Sequence, residues 1–88
     1  MIPSMLRDEE IQSSGKAVAA ELQRRREALG LSRNGLAQMA GISVQSVCFI
    51  ENGVNSPSLS TLLRICHALG TRVETVLRQA EAGKGKKG

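Results

Sequence analysis

An all-α fold, a bundle of five short helices, is what the sequence predicts, and three observations predict it. Apolar residues recur at three- and four-residue spacings, and nothing between Lys16 and Ala82 reads as a strand. Serines stand where helices should open, at Ser32, Ser43 and Ser58, and glycines where they should close, at Gly30, Gly41, Gly53 and Gly70. The chain is 88 residues with one Phe and no Trp or Tyr, so one domain with an aliphatic core is expected.

The first helix is expected over Lys16 to Leu29, with Val18, Leu22 and Leu29 on one stripe and Lys16, Gln23, Arg24 and Glu27 mostly outside it. Ser32 caps a second helix of about two turns that buries Leu36, Ala37 and Ala40 before Gly41 stops it. Ser43 caps a third, Val44 to about Glu51, whose Val47 and Ile50 share an apolar seam with Ala37, Ala40 and Ile42. Between these two only Gly41, Ile42 and Ser43 are available. A link this short fixes the crossing angle of its helices, and glycine supplies the backbone freedom it needs. Helices of this size are not stable alone, so the others must cover them.

Ser58 caps a fourth helix in which Leu59, Leu62, Leu63, Ile65, Cys66 and Leu69 make a wide apolar face, closed by Gly70. A fifth runs from about Val73 to Ala82 and buries Val76 and Leu77. The domain is therefore expected over residues 16–82. Residues 1–15 form an N-terminal arm that is either disordered or a dimer contact. Residues 83–88, rich in Gly and Lys, are expected to be a basic disordered tail.

Four fragments in this order and spacing resemble one family: RREALGLS (25–32), LAQMAGIS (36–43), VCFIENG (47–53) and PSLSTLLRICHALG (57–70). Over residues 16 to about 79 the chain is similar to the phage-repressor proteins, the lambda repressor and Cro type also called the xenobiotic response element family. The resemblance implies a lambda-repressor-like five-helix bundle. Its second and third helices form a helix-turn-helix, and it works as a homodimer on a palindromic operator in double-stranded DNA. The third helix then lies in the major groove with its N-terminal residues at base edges. Those positions here are Val44, Gln45, Cys48 and Phe49. Arg33, Ser46, Asn52 and Asn55 are expected at phosphates.

Gln45 offers both an amide donor and an acceptor, as bidentate pairing with adenine N6 and N7 requires, while Val44 and Phe49 offer apolar contact to a thymine methyl. Phe49 departs from the family, where a basic or polar residue is common. It contacts a thymine, fills the core or marks a protein-binding surface, and its phase off the Val47 and Ile50 stripe favours exposure. Gly35 departs too. The capping-box position holds no Glu or Gln, so the start of the second helix should fray. Arg26 and Glu51 match positions that form a structural ion pair in the family. Arg26 lies four residues after Leu22 and three before Leu29, so it points into the bundle and needs an acidic partner.

The net charge of +4 and pI of about 9.7 suit a polyanionic partner. In the run Arg24, Arg25, Arg26, the first two are free to meet solvent or phosphate. Two cysteines without Cys-x-x-Cys spacing indicate no metal site and fit the cytoplasm, and no membrane span or cofactor motif is present. His67 has no nucleophile and orienting acid placed near it, so the chain is not expected to be an enzyme. A sequence-specific transcriptional regulator, acting as a repressor, is the expected function. The alternative is an antitoxin or protein-interaction module that binds a partner such as a toxin through the apolar surface of the third helix or the arm.

Overall fold

The computed structural model describes residues 8–54 and 56–85. Among them five helices follow in order: α1 (Asp8–Ala28), α2 (Arg33–Ala40), α3 (Val44–Glu51), α4 (Leu59–Ala68) and α5 (Val73–Gly85). The three serines cap as expected: Ser32 Oγ accepts from the Gly35 N–H, Ser43 Oγ from that of Ser46 and Ser58 Oγ from that of Thr61. Each satisfies an amide that the first helical turn would leave unpaired. At Gly35 the expected fraying does not follow, because that N–H is itself the capped one, at 2.9 Å, and α2 begins at Arg33.

The core is a cluster of aliphatic side chains drawn from all five helices. Leu22, Leu36, Ala37, Ala40, Val47, Ile50, Ile65, Cys66, Leu69 and Val76 are buried, with Val18, Leu31, Ile42 and Leu62 packed against them. Cys66, enclosed there, has its thiol pKa raised by burial, as a small apolar core residue would.

Several boundaries and faces differ from the sequence reading. α1 starts at Asp8, so residues 8–15 of the expected arm belong to a 21-residue helix. α5 passes Ala82 and runs to Gly85. Both extensions follow from the low cost of propagating a helix that is already nucleated and docked. Residues 1–7 of the arm and 86–88 of the tail lie outside the described residues.

Leu29 is 56% exposed, because α1 ends at Ala28 and the chain turns, leaving Leu31 to pack on the core instead. Leu59, Leu63 and Leu77 are exposed as well. Leu63 and Leu77 sit one residue, about 100° of helix rotation, beyond Leu62 and Val76, which turns them off the face that these helices present to the core. Leu59 is the first residue of α4.

The turn from α2 to α3 rests on Gly41, whose φ of 74° lies in the left-handed region. This lets the amides of Gly41 and Ile42 both donate to Ala37 O, at 2.9 and 3.0 Å. A Cβ at this position would also stand 3.3 Å from Arg64 Nη1, the tip of an exposed α4 side chain. Gly41→Ala is therefore expected to cost about 1 to 2 kcal/mol. Urea titration followed by circular dichroism would show it as a lower midpoint at unchanged slope.

Candidate nucleic-acid interface

Two short helices joined by Gly41, Ile42 and Ser43 form the centre of this surface. α3 divides cleanly along its length. Val47, Ile50 and Glu51 are buried, while Val44 and Phe49 are 39% and 38% exposed, Gln45 is exposed, and Ser46 and Cys48 are half-buried. The four residues expected at base edges thus share the outer part of one helix. Phe49 is outside the core. It lines a shallow groove with Ser46, Pro57, Ser58 and Thr61 beside the start of α4.

Behind α3 lies a carboxylate that ties three helices together. Glu51, its side chain 2% exposed, accepts from Arg26 Nε at 2.7 Å and Arg26 Nη2 at 3.1 Å, a bidentate pair between α1 and α3. Arg26 Nη1 donates to the Leu31 carbonyl at 2.7 Å, which fixes the link into α2. This is the ion pair expected from the sequence.

Arg33 adds a contact that sequence reasoning missed. Its Nε donates to Glu51 Oε1 at 3.0 Å, Nη1 to Cys48 Sγ at 3.7 Å and Nη2 to Asn52 Oδ1 at 3.5 Å. The hydrogen bonds to Glu51 and then Cys48 raise the pKa of a guanidinium that is already always charged. With its side chain 34% exposed, Arg33 is a cation held at the junction of α2 and α3 rather than a free surface arginine. The eighteen-residue separation from Glu51 gave no local signal of this contact.

The other expected phosphate residues fall into different settings. Ser46 belongs to the α3 cap, its N–H donating to Ser43 Oγ at 3.1 Å and its own Oγ accepting from Ser43 Oγ at 2.9 Å. Asn52 caps the far end of α3, its N–H donating to Cys48 O, and is exposed. Asn55 lies outside the described residues.

The reading of Arg24 and Arg25 as free to meet solvent or phosphate is corrected in part: Arg24 meets solvent, its side chain 62% exposed, but Arg25 is only 23% exposed and neither is unpaired. Both donate to Glu21, Arg24 through Nε and Nη2 at 3.2 and 2.7 Å and Arg25 through Nε at 2.7 Å. Arg25 Nη1 also reaches Thr71 Oγ1 at 3.2 Å, anchoring α1 to the turn before α5. The spacings of three and four residues back to Glu21 were visible in the sequence. Hydrogen bonding from Arg24 first, opposed by burial and reinforced by Arg25, holds the Glu21 carboxyl below the usual carboxylate range. Its contribution to stability is therefore present above the unfolded-state value and is lost as the pH falls through the folded one.

The sequence profile of the family described as helix-turn-helix matches residues 22–76, the stretch that runs from the buried Leu22 of α1 through α2 and α3 to Val76 of α5. The chain belongs to the phage-repressor-like helix-turn-helix family. DNA-binding transcription regulation is the work of this family. Over 71 residues the chain is 35% identical to an uncharacterised HTH-type transcriptional regulator of Haemophilus influenzae, covering 78% of this chain and 72% of that protein. The crystal structure of the clp gene regulator ClgR from Corynebacterium glutamicum is similar at 28% identity and a TM-score of 0.76, covering 93% of this chain and 80% of that one. Hydroxypropylphosphonic acid epoxidase from S. wedmorenis is also similar, at 30% identity and a TM-score of 0.66 over 74% of this chain. This chain spans 35% of that enzyme. Among the described residues no helix is long and apolar enough to cross a membrane.

Proposed function

We propose that this chain is a sequence-specific transcriptional repressor that binds double-stranded DNA as a homodimer in the cytoplasm, with α3 in the major groove. The observation that supports this best is the division of α3. Its inner residues hold the fold, while Gln45 stands exposed on the second residue of the helix, flanked by Val44, Cys48 and Phe49. Gln45 pairs with an adenine edge, and Val44, Cys48 and Phe49 line the groove and meet thymine methyls. Arg33, Ser46, Asn52 and Asn55 hold phosphates on either side, Arg33 from the position in which Glu51, Cys48 and Asn52 fix it. Occupancy of a site overlapping a promoter is enough to repress.

Fluorescence anisotropy against the chain's own upstream DNA and against a scrambled duplex, at low and near-physiological salt, tests this reading. Tighter binding to the native duplex that persists in added salt is expected, whereas equal, salt-erased binding to both would overturn it. In the same assay Arg33→Ala should weaken every duplex alike and reduce the slope of log affinity against log salt by about one.

A further inference from the structure

The stretch that carries α3 is almost free of negative charge. Of the eight acidic residues, Glu51 alone falls between residues 28 and 73, and its side chain is buried against Arg26 and Arg33. The others lie on α1 and α5. Cations stand near both ends of α3. Arg33 is held beside its C-terminal half through Cys48 and Asn52, and Arg64 Nη1 lies 3.3 Å from where a Cβ on Gly41 would stand, beside the turn that leads into it. A polyanion can therefore approach this face closely.

What α3 itself presents there is mostly apolar. Its exposed residues are Val44, Gln45 and Phe49, so Gln45 is the one exposed side chain of the helix that can exchange hydrogen bonds with a base edge. The Ser46 hydroxyl accepts from Ser43, and Cys48 Sγ accepts from Arg33. Around the helix Val44 stands about 100° to one side of Gln45 and Phe49 about 40° to the other, with Phe49 about 6 Å further along the axis. That offset is close to two base-pair steps of about 3.4 Å each.

In the major groove the apolar group that a pyrimidine offers is the methyl on C5 of thymine. 5-Methylcytosine carries the same methyl on the same atom and differs at position 4, where thymine has an acceptor oxygen and cytosine a donor amine. Neither Val44 nor Phe49 can donate or accept a hydrogen bond, so neither registers that difference. We infer that Phe49 and Val44 make α3 a reader of pyrimidine C5-methyl groups, so that methylation of an operator cytosine at C5 creates a contact equivalent to thymine's and raises occupancy. Such methyl recognition rests on the DNA-binding reading proposed above and adds a control to it: the modification state of the operator sets affinity as well as its base order.

Anisotropy titrations of the full chain on its own upstream duplex test this. Replacing thymines one at a time by deoxyuridine removes the methyl and leaves base pairing intact. Each methyl lost from contact with Phe49 or Val44 should weaken binding about fourfold, and thymines elsewhere should be indifferent. At a sensitive position the T·A pair is then exchanged for C·G and for 5-methylcytosine·G. The methylated duplex should bind about fourfold tighter than its unmethylated twin. Phe49→Ala should abolish both differences at one position and Val44→Ala at another. Circular dichroism should show both variants folded, since both side chains lie outside the core. Deoxyuridine without effect at every thymine, a methylated duplex that binds no better than its twin, or sensitivity that persists in both variants overturns the inference. The DNA-binding reading survives any of these results if the parent still prefers the native to the scrambled duplex, whereas a parent without that preference overturns both.

Discussion

Glu51→Ala should lower the melting temperature by at least about 12 °C, the equivalent of about 3 to 5 kcal/mol for a buried ion pair broken on one side. The size of the effect comes from what is left behind. Arg26, 7% exposed, would keep the Leu31 carbonyl but lose both hydrogen bonds to Glu51, and Arg33 would lose the bond from its Nε. With only the exposed Glu27 carboxylate left, 3.7 Å from Nη2, the buried guanidinium must draw in water or leave its site, and either loosens the contact of α1 with α3. The cost belongs to the orphaned charge rather than to the pair as such. A double variant, Arg26→Leu with Glu51→Leu, should therefore melt above Glu51→Ala, because it buries apolar groups in place of one poorly compensated cation. Differential scanning calorimetry of the three proteins checks both statements. Glu51→Ala melting within a few degrees of the parent would show that the tie is dispensable.

The second large effect is on specificity. Gln45→Ala should leave melting unchanged, since the side chain is exposed, and should erase preference at one base pair of each half-site by about 1 to 3 kcal/mol. In binding terms this is a loss of about 5- to 150-fold in discrimination between the preferred pair and its substitutes. Anisotropy titrations against duplexes altered one pair at a time would locate the position. Equal loss on every duplex would mean that Gln45 supports the backbone contact and does not read a base.

How much of this was legible in the sequence depends on how far apart the interacting residues lie. Capped helix starts are decided within four residues, and Ser32, Ser43 and Ser58 could be read directly, whereas α1, without such a cap in the reading, begins eight residues before its expected start. Gly41 could be read for the same reason, because a left-handed residue two places before a cap is a local requirement. The Arg26–Glu51 pair, twenty-five residues apart, was reached only through the family resemblance, with the phase of Arg26 pointing the same way.

What escaped was the competition between neighbours for a limited interior. Leu62 and Leu63, or Val76 and Leu77, are equivalent as residue types, and only the packing of the other helices decides which turns inward. The site shows the same limit. Sequence placed Gln45 and Phe49 on the outer part of α3, where they stand. It did not show that Arg33 is shared by Glu51, Cys48 and Asn52, because those contacts depend on how α2 crosses α3.

The division of α3 also bears on how such a protein diversifies. On the proposed reading, fold and specificity would be written in the same eight residues but on separate faces. Val47, Ile50 and Glu51 are bound to the core, so most changes there would be eliminated through loss of stability. Val44, Gln45 and Phe49 carry little of that burden, and Cys48 carries only its contact with Arg33. If these positions read the operator as proposed, duplicated copies of the gene would be free to drift among operators there while the domain beneath them stays the same, and orthogonal regulators would arise without passing through an unfolded ancestor.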